Sequence, residues 1–312
     1  MIASQGAVRD YLNNKKLFSS FEIIGKKSGL SNTNYFINSP EGKFVFRCNK
    51  IKPSNSTHCL SGEHNVLKFF EQYDFDFVPR TKYFDSEKNV HILSYIDGRK
   101  VRFRNISLSG MKQALDKLQK INLLAAEYIK FCQDNNLLYK EPKSEIERLR
   151  GRILRKIDLI EELNPLRELS LWVKDRIKED FFNIEIDYEK IYLNHGDPAD
   201  NLVINQGKIS IIDWEYARLT YGPGMVHIIA HGILGREREE KLLEYYAKIS
   251  GRDLDVLRRR TYQEKNLHYL LKLAKICYRY QIGLLDNSLD DLKKSTDKIK
   301  KNYIRYKKEF GL

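Results

Sequence analysis

The chain has 312 residues and a formal net charge of +13, with 42% hydrophobic, 12% aromatic and 31% charged residues. This length and apolar content are sufficient for two compact lobes with their own cores, and they exclude an intrinsically disordered chain. No apolar stretch approaches about 18 residues and no apolar segment follows a basic start, so neither membrane insertion nor a secretory signal is expected.

The cysteine pattern indicates the cellular location of the protein, and the net charge indicates which classes of binding partner to consider. The four cysteines are widely separated and form no metal-ligand or CxxC pattern, which favours a reducing, cytoplasmic location. The positive charge admits an anionic partner such as nucleic acid or anionic lipid. Because the basic residues are spread along the chain, we favour a solvated lysine-rich surface and do not expect nucleic-acid binding.

The N-terminal third is dominated by short alternating apolar runs, which indicate β-strands. Between the first two runs, residues 26–34 are small, basic or amide-bearing, and include Ser31 and Asn32. Such residues let backbone amides approach phosphate oxygens closely, although an ordinary hairpin turn is the alternative. The predicted elements are a helix over residues 6–19, strands beginning at Phe21 and Tyr35 and over residues 43–47, a helix over residues 63–73, and strands over residues 82–84 and 90–93.

The third predicted strand ends on a cation, Arg47. Its planar guanidinium suits bidentate contact with phosphate, and the alternative is a surface arginine on an edge strand. The helix that follows offers Glu63 as an ion-pair partner, with Glu71 as a second candidate one helix length further along.

The pattern changes from strands to helices after Ser94-Tyr95-Ile96, so we place a domain boundary near Gly98. From residue 107 onward, apolar residues recur every three to four positions, and Ser109 is a candidate N-cap. The sequence predicts helices from residue 107 to about residue 135 and over residues 146–163, 169–182, 237–250, 254–282 and 288–310.

Residues 191–217 read IYLNHGDPADNLVINQGKISIIDWEYA. An Asn/Gly-containing turn between two β-branched runs predicts a hairpin, and this hairpin would bring Asp197, Asn201 and Asp213 to one end. One carboxylate can orient or deprotonate an attacking hydroxyl, while carboxylate and amide oxygens can hold Mg²⁺ against phosphates. The alternative is that these residues only make turns, which Asp and Asn favour.

This stretch resembles the catalytic core of the aminoglycoside phosphotransferase and choline kinase superfamily, and its DWEYA run is most similar to the choline/ethanolamine kinase (LicA-type) branch. The resemblance implies an α+β, protein-kinase-like two-lobed fold. An N-terminal antiparallel sheet lobe, residues 1–97, would bind nucleotide. A larger, mainly helical lobe, residues 98–312, would hold the catalytic residues and the substrate. The implied reaction transfers the γ-phosphoryl group of ATP, with Mg²⁺, to a hydroxyl group of a small molecule.

The resemblance also implies roles for individual residues. Asp197 would be the catalytic aspartate, Asn201 and Asp213 the magnesium ligands, and His195 a brace for the loop. The nucleotide-binding residues implied are Ser31, Asn32, Arg47, Glu63, Ser94, Tyr95 and Ile96. The preferred acceptor is an amino alcohol such as choline or ethanolamine, with an aminoglycoside or a sugar-like hydroxyl as the alternative; the acceptor's identity and the oligomeric state stay open.

Two departures from the family pattern favour a different class of protein. The chain has four positions from Asp197 to Asn201 where the family usually has five, which makes Asp200 a substitute ligand. His227 stands where the family commonly has an acidic residue that braces the catalytic loop. A catalytically impaired, kinase-like regulatory or anion-binding module is therefore the alternative, although the presence of Asp197 and Asp213 favours an enzyme.

Overall fold

The structure, a computed structural model, describes residues 4–29, 32–49, 60–139, 141–160, 164–181, 188, 190–222, 229, 234–281 and 289–310. It contains two compact units. The first comprises Met1–Lys140 and Leu193–Arg218, and the second comprises Glu141–Tyr192 and Leu219–Leu312. The first unit thus holds both the N-terminal sheet and the predicted catalytic stretch. The lobes proposed over residues 1–97 and 98–312 stay a prediction.

A five-stranded antiparallel sheet with the order β1-β2-β3-β5-β4 forms the centre of the first unit. Alternate residues on its strands point toward helix α1 and form a core, because successive side chains of a strand face opposite sides. Arg47 pairs with Asn34 on one side and with His91 on the other, so it lies in the middle of the sheet. The strands are β1 (Glu22–Ser28), β2 (Asn32–Ser39), β3 (Gly42–Asn49), β4 (Thr81–Asp85) and β5 (Val90–Ser94).

Two helices accompany this sheet in the first unit. Helix α1 (Gln5–Lys15) begins at the N-cap Ser4 and ends at Lys16, which adopts a left-handed conformation. Helix α2 (Leu60–Phe70) buries an apolar face that also carries Glu63. The α-helix predicted over residues 63–73 ends earlier than expected, at Phe70, and a short 3₁₀ turn over Glu71–Tyr73 follows it. Glu71 therefore belongs to this turn and not to α2.

The turn between β1 and β2 is shorter than the sequence predicts. Ser28 pairs with Thr33 and Lys27 with Asn34, so Asn32 belongs to β2 instead of to a loop. Asn has a low strand propensity, and the pairing of Asn32 with Asn49 of β3, together with the hydrogen bond of 2.8 Å from the amide of Gly29 to its carbonyl oxygen, overrides it here. Ser31 lies outside the described residues.

The chain after β5 forms a second small sheet and two helices in the first unit. The sheet has the order β6-β8-β9, from β6 (Arg99–Val101), β8 (Leu202–Asn205) and β9 (Lys208–Ile211). The β8–β9 hairpin was predicted, whereas the short β6 was not. Helices α3 (Leu108–Asn122) and α4 (Ala125–Asp134) follow β6, as two helices where one was predicted.

Ser107 caps α3, because its hydroxyl accepts a hydrogen bond from the amide of Gly110. The predicted cap, Ser109, is wrong by two residues and lies inside the helix. Both serines precede the apolar repeat, and only Ser107 has the extended backbone that a cap requires.

The second unit is mainly helical, as predicted. Helix α5 begins with a capping box between Ser144 and Glu147. Apolar residues of α5, α6 and α8 form its core, which is joined by Tyr303 of α9. The elements are α5 (Glu145–Ile157), α6 (Arg167–Phe181), β7 (Ile191–Asn194), β10 (Arg218–Tyr221), α7 (Arg236–Ser250), α8 (Leu254–Gln281) and α9 (Leu289–Phe310); β7 and β10 carry the chain between the units.

The predicted antiparallel N-terminal sheet and mainly helical C-terminal part are thus confirmed. Among the residues that the structure describes, no helix combines the length and apolar character needed to cross a membrane.

Candidate active site

The loop that the sequence predicts to be catalytic, called the catalytic loop below, follows directly from the end of β7 and begins with His195-Gly196-Asp197. Gly196 has a φ of +85°, and a Cβ atom at this position would overlap the carbonyl oxygen of Tyr216 and the guanidinium of Arg218. Only glycine fits this close approach without strain. The sharp turn at Gly196 therefore fixes where the half-buried Asp197 lies relative to the DWEYA segment.

His195 ties this loop to the strand end before Asp213. Its Nε2 lies 2.9 Å from the carbonyl oxygen of Ile212, and its Nδ1 accepts from the amide of Asp197 at 3.2 Å. Both bonds are satisfied only when the ring is neutral and protonated on Nε2. Burial lowers the pKa of His195 to about 4, so it is neutral at physiological pH. The expected role of His195 as a brace agrees with these contacts.

Asn201 holds the other end of the catalytic loop. Its Nδ2 donates to the carbonyl oxygen of Asp197 at 2.8 Å, and its backbone carbonyl accepts from the amide of Ile212 at 3.0 Å. The loop that is one position short is thus closed by Asn201 itself. Asp200, the substitute ligand considered above, is exposed and lies 3.4 Å from Arg102.

Asp213 follows β9 and has a left-handed backbone with a φ of +69°. This conformation is unfavourable for a residue with a side chain and occurs preferentially at functional sites. Asp213 Oδ1 accepts a hydrogen bond of 2.6 Å from Arg47 Nη2, and 27% of the side chain is exposed.

Arg47 joins three carboxylates that come from two distant parts of the sequence. Its Nη1 contacts both oxygens of Glu63 at 2.7 and 2.8 Å, and its Nη2 contacts Asp213 and, at 3.2 Å, Glu215. The observed partner is Glu63, the first of the two candidates, whereas Glu71 pairs with Lys68 on the surface. An arginine surrounded in this way is held in one orientation.

Glu63 is completely buried and is stabilised as a carboxylate by this network. Burial alone would raise its pKa, but Arg47, His91 and the backbone amide of Trp214 together outweigh burial and lower the pKa of Glu63 to about 2. Its Oε1 also accepts from the backbone amide of Trp214 at 3.0 Å. Glu63 therefore links α2 and β3 to the segment that carries Asp213.

Glu215 is a site residue to which the sequence analysis assigned no role. Its Oε2 accepts a hydrogen bond of 2.6 Å from Asn32 Nδ2, in addition to its contact with Arg47. Burial raises the pKa of Glu215 to about 6, against the opposing effect of Arg47. The only sequence signal for this role was the position of Glu215 within the DWEYA run. Its contact with Asn32 connects the start of β2 to the segment that carries Asp213.

Lys100 is a second residue that the sequence analysis missed. Its Nζ donates to Asn201 Oδ1 at 2.8 Å. Burial of its ammonium end lowers the pKa of Lys100, while the negative charges of Asp213, Asp200 and Asp197 act in the opposite direction. Through its contact with Asn201, Lys100 brings a cation to the predicted metal-binding end of the hairpin.

The segment Ser94-Tyr95-Ile96 leaves the sheet at the end of β5. The amide of Ser94 donates to the carbonyl oxygen of Arg80 at 2.8 Å, and the amide of Tyr95 donates to that of Lys43 at 2.9 Å. These bonds use the amide donors of Ser94 and Tyr95 within the sheet. Ile96 is the first residue after them.

The predicted magnesium ligands differ in how well they fit the ion. Carboxylate and amide oxygens are donors that Mg²⁺ accepts, and Asp213 offers such a carboxylate at a partly exposed position. Asn201, in contrast, has its amide oxygen engaged by the ammonium group of Lys100. Within the described part of the chain, no group of three or more His, Cys, Asp or Glu side chains has the arrangement of a metal site. Of the residues singled out in the sequence, Ser31 and His227 lie outside this part.

The antiparallel N-terminal sheet and the mainly helical C-terminal part define a kinase-like fold. The model of the phosphotransferase enzyme family (APH) matches residues 22–259, so the chain belongs to this family. No curated protein sequence matches the chain.

Solved structures of both branches of the superfamily share the fold. The chain is similar to the choline kinase LicA from Streptococcus pneumoniae, with 16% identity, a TM-score of 0.65, and coverage of 97% of this chain and 99% of LicA. A choline kinase from Cryptosporidium parvum has 12% identity and a TM-score of 0.66, with coverage of 98% and 96%. The GDP complex of wild-type aminoglycoside 2′-phosphotransferase-IIIa has 13% identity and a TM-score of 0.66, with coverage of 97% and 99%. The predicted kinase-like fold is confirmed, and identities this low define the fold alone.

Proposed function

We propose that the protein is a kinase that transfers the γ-phosphoryl group of ATP to a hydroxyl group of a small molecule. The observation that carries this proposal is the contact of Arg47 with both Glu63 and Asp213. It places a central cation of the sheet, paired with a glutamate of the following helix, beside an aspartate of the predicted catalytic hairpin, and kinases use these three groups for phosphoryl transfer. The network lies within one compact unit together with Asp197.

The nucleotide would be held by residues of the sheet and its turns. Arg47 would contact the phosphates, held in place by Glu63, while Ser31 and Asn32 would bring the β1–β2 turn over them. The base would be read by the backbone after β5. Because the amides of Ser94 and Tyr95 donate to Arg80 and Lys43, the amide of Ile96 is the donor that we assign to adenine, with the carbonyl groups of Ser94 and Tyr95 as acceptors.

The acceptor hydroxyl would be activated by Asp197. This carboxylate would orient the hydroxyl group and accept its proton as the phosphoryl group is transferred. His195 and Asn201 would position Asp197 through its own amide and carbonyl groups. Mg²⁺, when bound with the nucleotide, would offset the phosphate charge, and Asp213 and Asn201 carry the predicted oxygen ligands.

We propose an amino alcohol such as choline or ethanolamine as the acceptor. The DWEYA run supports this choice, as does the similarity to the choline kinase LicA over almost the whole of both chains. An aminoglycoside or a sugar-like hydroxyl is the second candidate, since the fold is equally similar to aminoglycoside 2′-phosphotransferase-IIIa. A reducing, cytoplasmic setting accords with the buried thiols of Cys48, Cys132 and Cys277.

The test is Mg²⁺-dependent ATP consumption across a panel of amino alcohols, sugars and aminoglycosides. We expect one acceptor class to stimulate consumption, and we expect D197N to remove that stimulation. D74N is the matched control, because Asp74 is 93% exposed and pairs only with Arg80 on the surface. An absence of acceptor-stimulated consumption, together with salt-sensitive binding of an anionic polymer, would favour the impaired kinase-like module.

A further inference from the structure

The position of Lys100 follows from the pairing of β6 with β8. Lys100 lies opposite Val203, and Asn201 precedes Val203 by two residues on the same face. A residue and its diagonal neighbour across an antiparallel pair lie within reach of a long side chain. The Lys100 ammonium group therefore meets the Asn201 amide oxygen as a consequence of strand register.

The same segment holds the catalytic loop at two further points. The amide of Phe103 donates to the carbonyl oxygen of Ala199 at 2.7 Å, and Arg102 lies 3.4 Å from Asp200. Lys100 and Arg102 are two residues apart and both contact the loop. Residues 100–103, which comprise the end of β6 and the two residues after it, thus contact the shortened loop at three points. They place two cations, Lys100 and Arg102, beside it.

Both ends of the Asn201 amide are engaged as a result. Its nitrogen donates to the carbonyl oxygen of Asp197, and its oxygen accepts from Lys100. A divalent ion on the same oxygen would have to displace the ammonium group or lie at contact distance from a like charge, where repulsion is strong. Asp213 also lies beside a cation, since Arg47 contacts its Oδ1 at 2.6 Å. Its carboxylate differs from the Asn201 amide because it carries a negative charge and a second oxygen, whereas the amide is neutral and has one oxygen.

We propose that Lys100 is a positioning residue that supplies the positive charge at Asn201, so that the nucleotide complex holds one divalent ion, at Asp213, and Asn201 is not a metal ligand as the sequence predicted. This inference rests on the proposed function and refines its metal requirement. Lys100 and Asn201 together would fix the carbonyl group of Asp197 and the shortened loop. The chain would then differ from an enzyme in which the residues equivalent to Asn201 and Asp213 both bind metal.

The experiment counts Mn²⁺ ions bound by the full-length chain saturated with AMP-PNP, from the electron paramagnetic resonance signal of free Mn²⁺. We expect one Mn²⁺ per complex in the wild type and in K100R, which retains the cation. We expect two in K100M, because the amide oxygen is released and a positive charge is lost. K68M is the matched control and should bind one, since Lys68 pairs with Glu71 on the surface.

A second variant keeps the inference testable if K100M does not fold, as judged by circular dichroism and thermal melting. N201A should bind one Mn²⁺ with an affinity within about threefold of the wild type, whereas loss of a metal ligand or its direct support weakens binding about 10–100-fold. Two ions in the wild type, one ion in folded K100M, or a tenfold weaker affinity in N201A would each overturn the inference. In these cases AMP-PNP still binds, whereas failure of the proposed function would appear as no AMP-PNP binding by the wild type.

Discussion

Arg47 and Asp213 are 166 residues apart in the sequence, and their side chains are joined by a hydrogen bond of 2.6 Å. The bond connects the central strand of the sheet to the end of the catalytic hairpin within one compact unit. Since Arg47 also contacts Glu63 and Glu215, three carboxylates share one guanidinium. This arrangement holds the Arg47 guanidinium in one orientation, as the proposed contact with nucleotide phosphates would need.

Removal of Arg47 should therefore destabilise the first unit as well as weaken nucleotide binding. R47M would leave the completely buried Glu63 without its main counter-ion, and we expect the free energy of unfolding to fall by about 3–5 kcal/mol. The double variant R47M/E63L should recover part of this loss, because it removes the buried unpaired charge. Urea denaturation measures both changes.

R80M is the control for this series, since Arg80 forms an ion pair with Asp74 in which both side chains are mostly exposed. We expect a change of less than about 1 kcal/mol there. A similarly small effect for R47M would contradict the description of the Arg47–Glu63 pair as buried and structural.

A comparison of two glycines tests the geometry of the catalytic loop. Gly196 and Gly207 both have a positive φ, but a Cβ atom meets nothing within 4 Å at Gly207 and overlaps backbone at Gly196. G207A should cost about 1–2 kcal/mol for its left-handed backbone. G196A should cost about 3 kcal/mol or more, because steric overlap adds to backbone strain. Equal stabilities of the two variants in thermal unfolding would refute this account of Gly196.

The neutral state of His195 predicts how stability depends on pH. The pKa of His195 is about 4 in the folded protein and has an ordinary value of 6.5, so the unfolded chain binds the proton first. The contribution of neutral His195 to the free energy of unfolding is fully present above pH 6.5. It falls by about 3 kcal/mol as the pH decreases toward 4. H195Q should flatten the stability profile in this window by that amount.

His64 provides an internal comparison, because burial also lowers its pKa to about 4. Its share of the pH dependence should remain in H195Q and disappear in H64Q. An NMR titration of the His195 ring with a midpoint near 6.5 would show that the ring is not held neutral by the fold.

The bond between Asn32 and Glu215 should be measurable as a coupling energy. It is a hydrogen bond of 2.6 Å to a mostly buried carboxylate, so the double-mutant cycle of N32A and E215A should give about 1–3 kcal/mol. S39A, which removes an exposed hydroxyl bonded to Gly42, should show no coupling with E215A. N32A should also raise the KM for ATP, and an unchanged KM would exclude Asn32 from nucleotide binding.

The sequence alone was sufficient for the parts of the site that depend on local signals. The hairpin around Asn201 and Asp213 follows from a turn between two β-branched runs. The pairing of Arg47 with Glu63 was expected from the kinase pattern, in which a cation on the third strand pairs with a glutamate of the following helix. These elements are long enough for periodicity to identify them.

The rest depends on contacts between segments far apart in the chain. Strand β6 has three residues, which is too short for an alternation signal, so the contact of Lys100 with Asn201 had no local indication. The assignment of Asn32 to a strand was missed because its pairing with Asn49 of β3 overrides the low strand propensity of Asn. The role of Glu215 depends on a partner 183 residues away.

The most direct test of the proposed function is a parallel measurement of acceptor phosphorylation and nucleotide affinity in D197N. If Asp197 acts on the acceptor hydroxyl, the rate of phosphoryl transfer should fall by about 10²–10⁴-fold, while the Kd for ATP stays within about twofold of the wild type. Transfer to the acceptor at the wild-type rate in D197N would contradict the assignment of this loop as the catalytic centre.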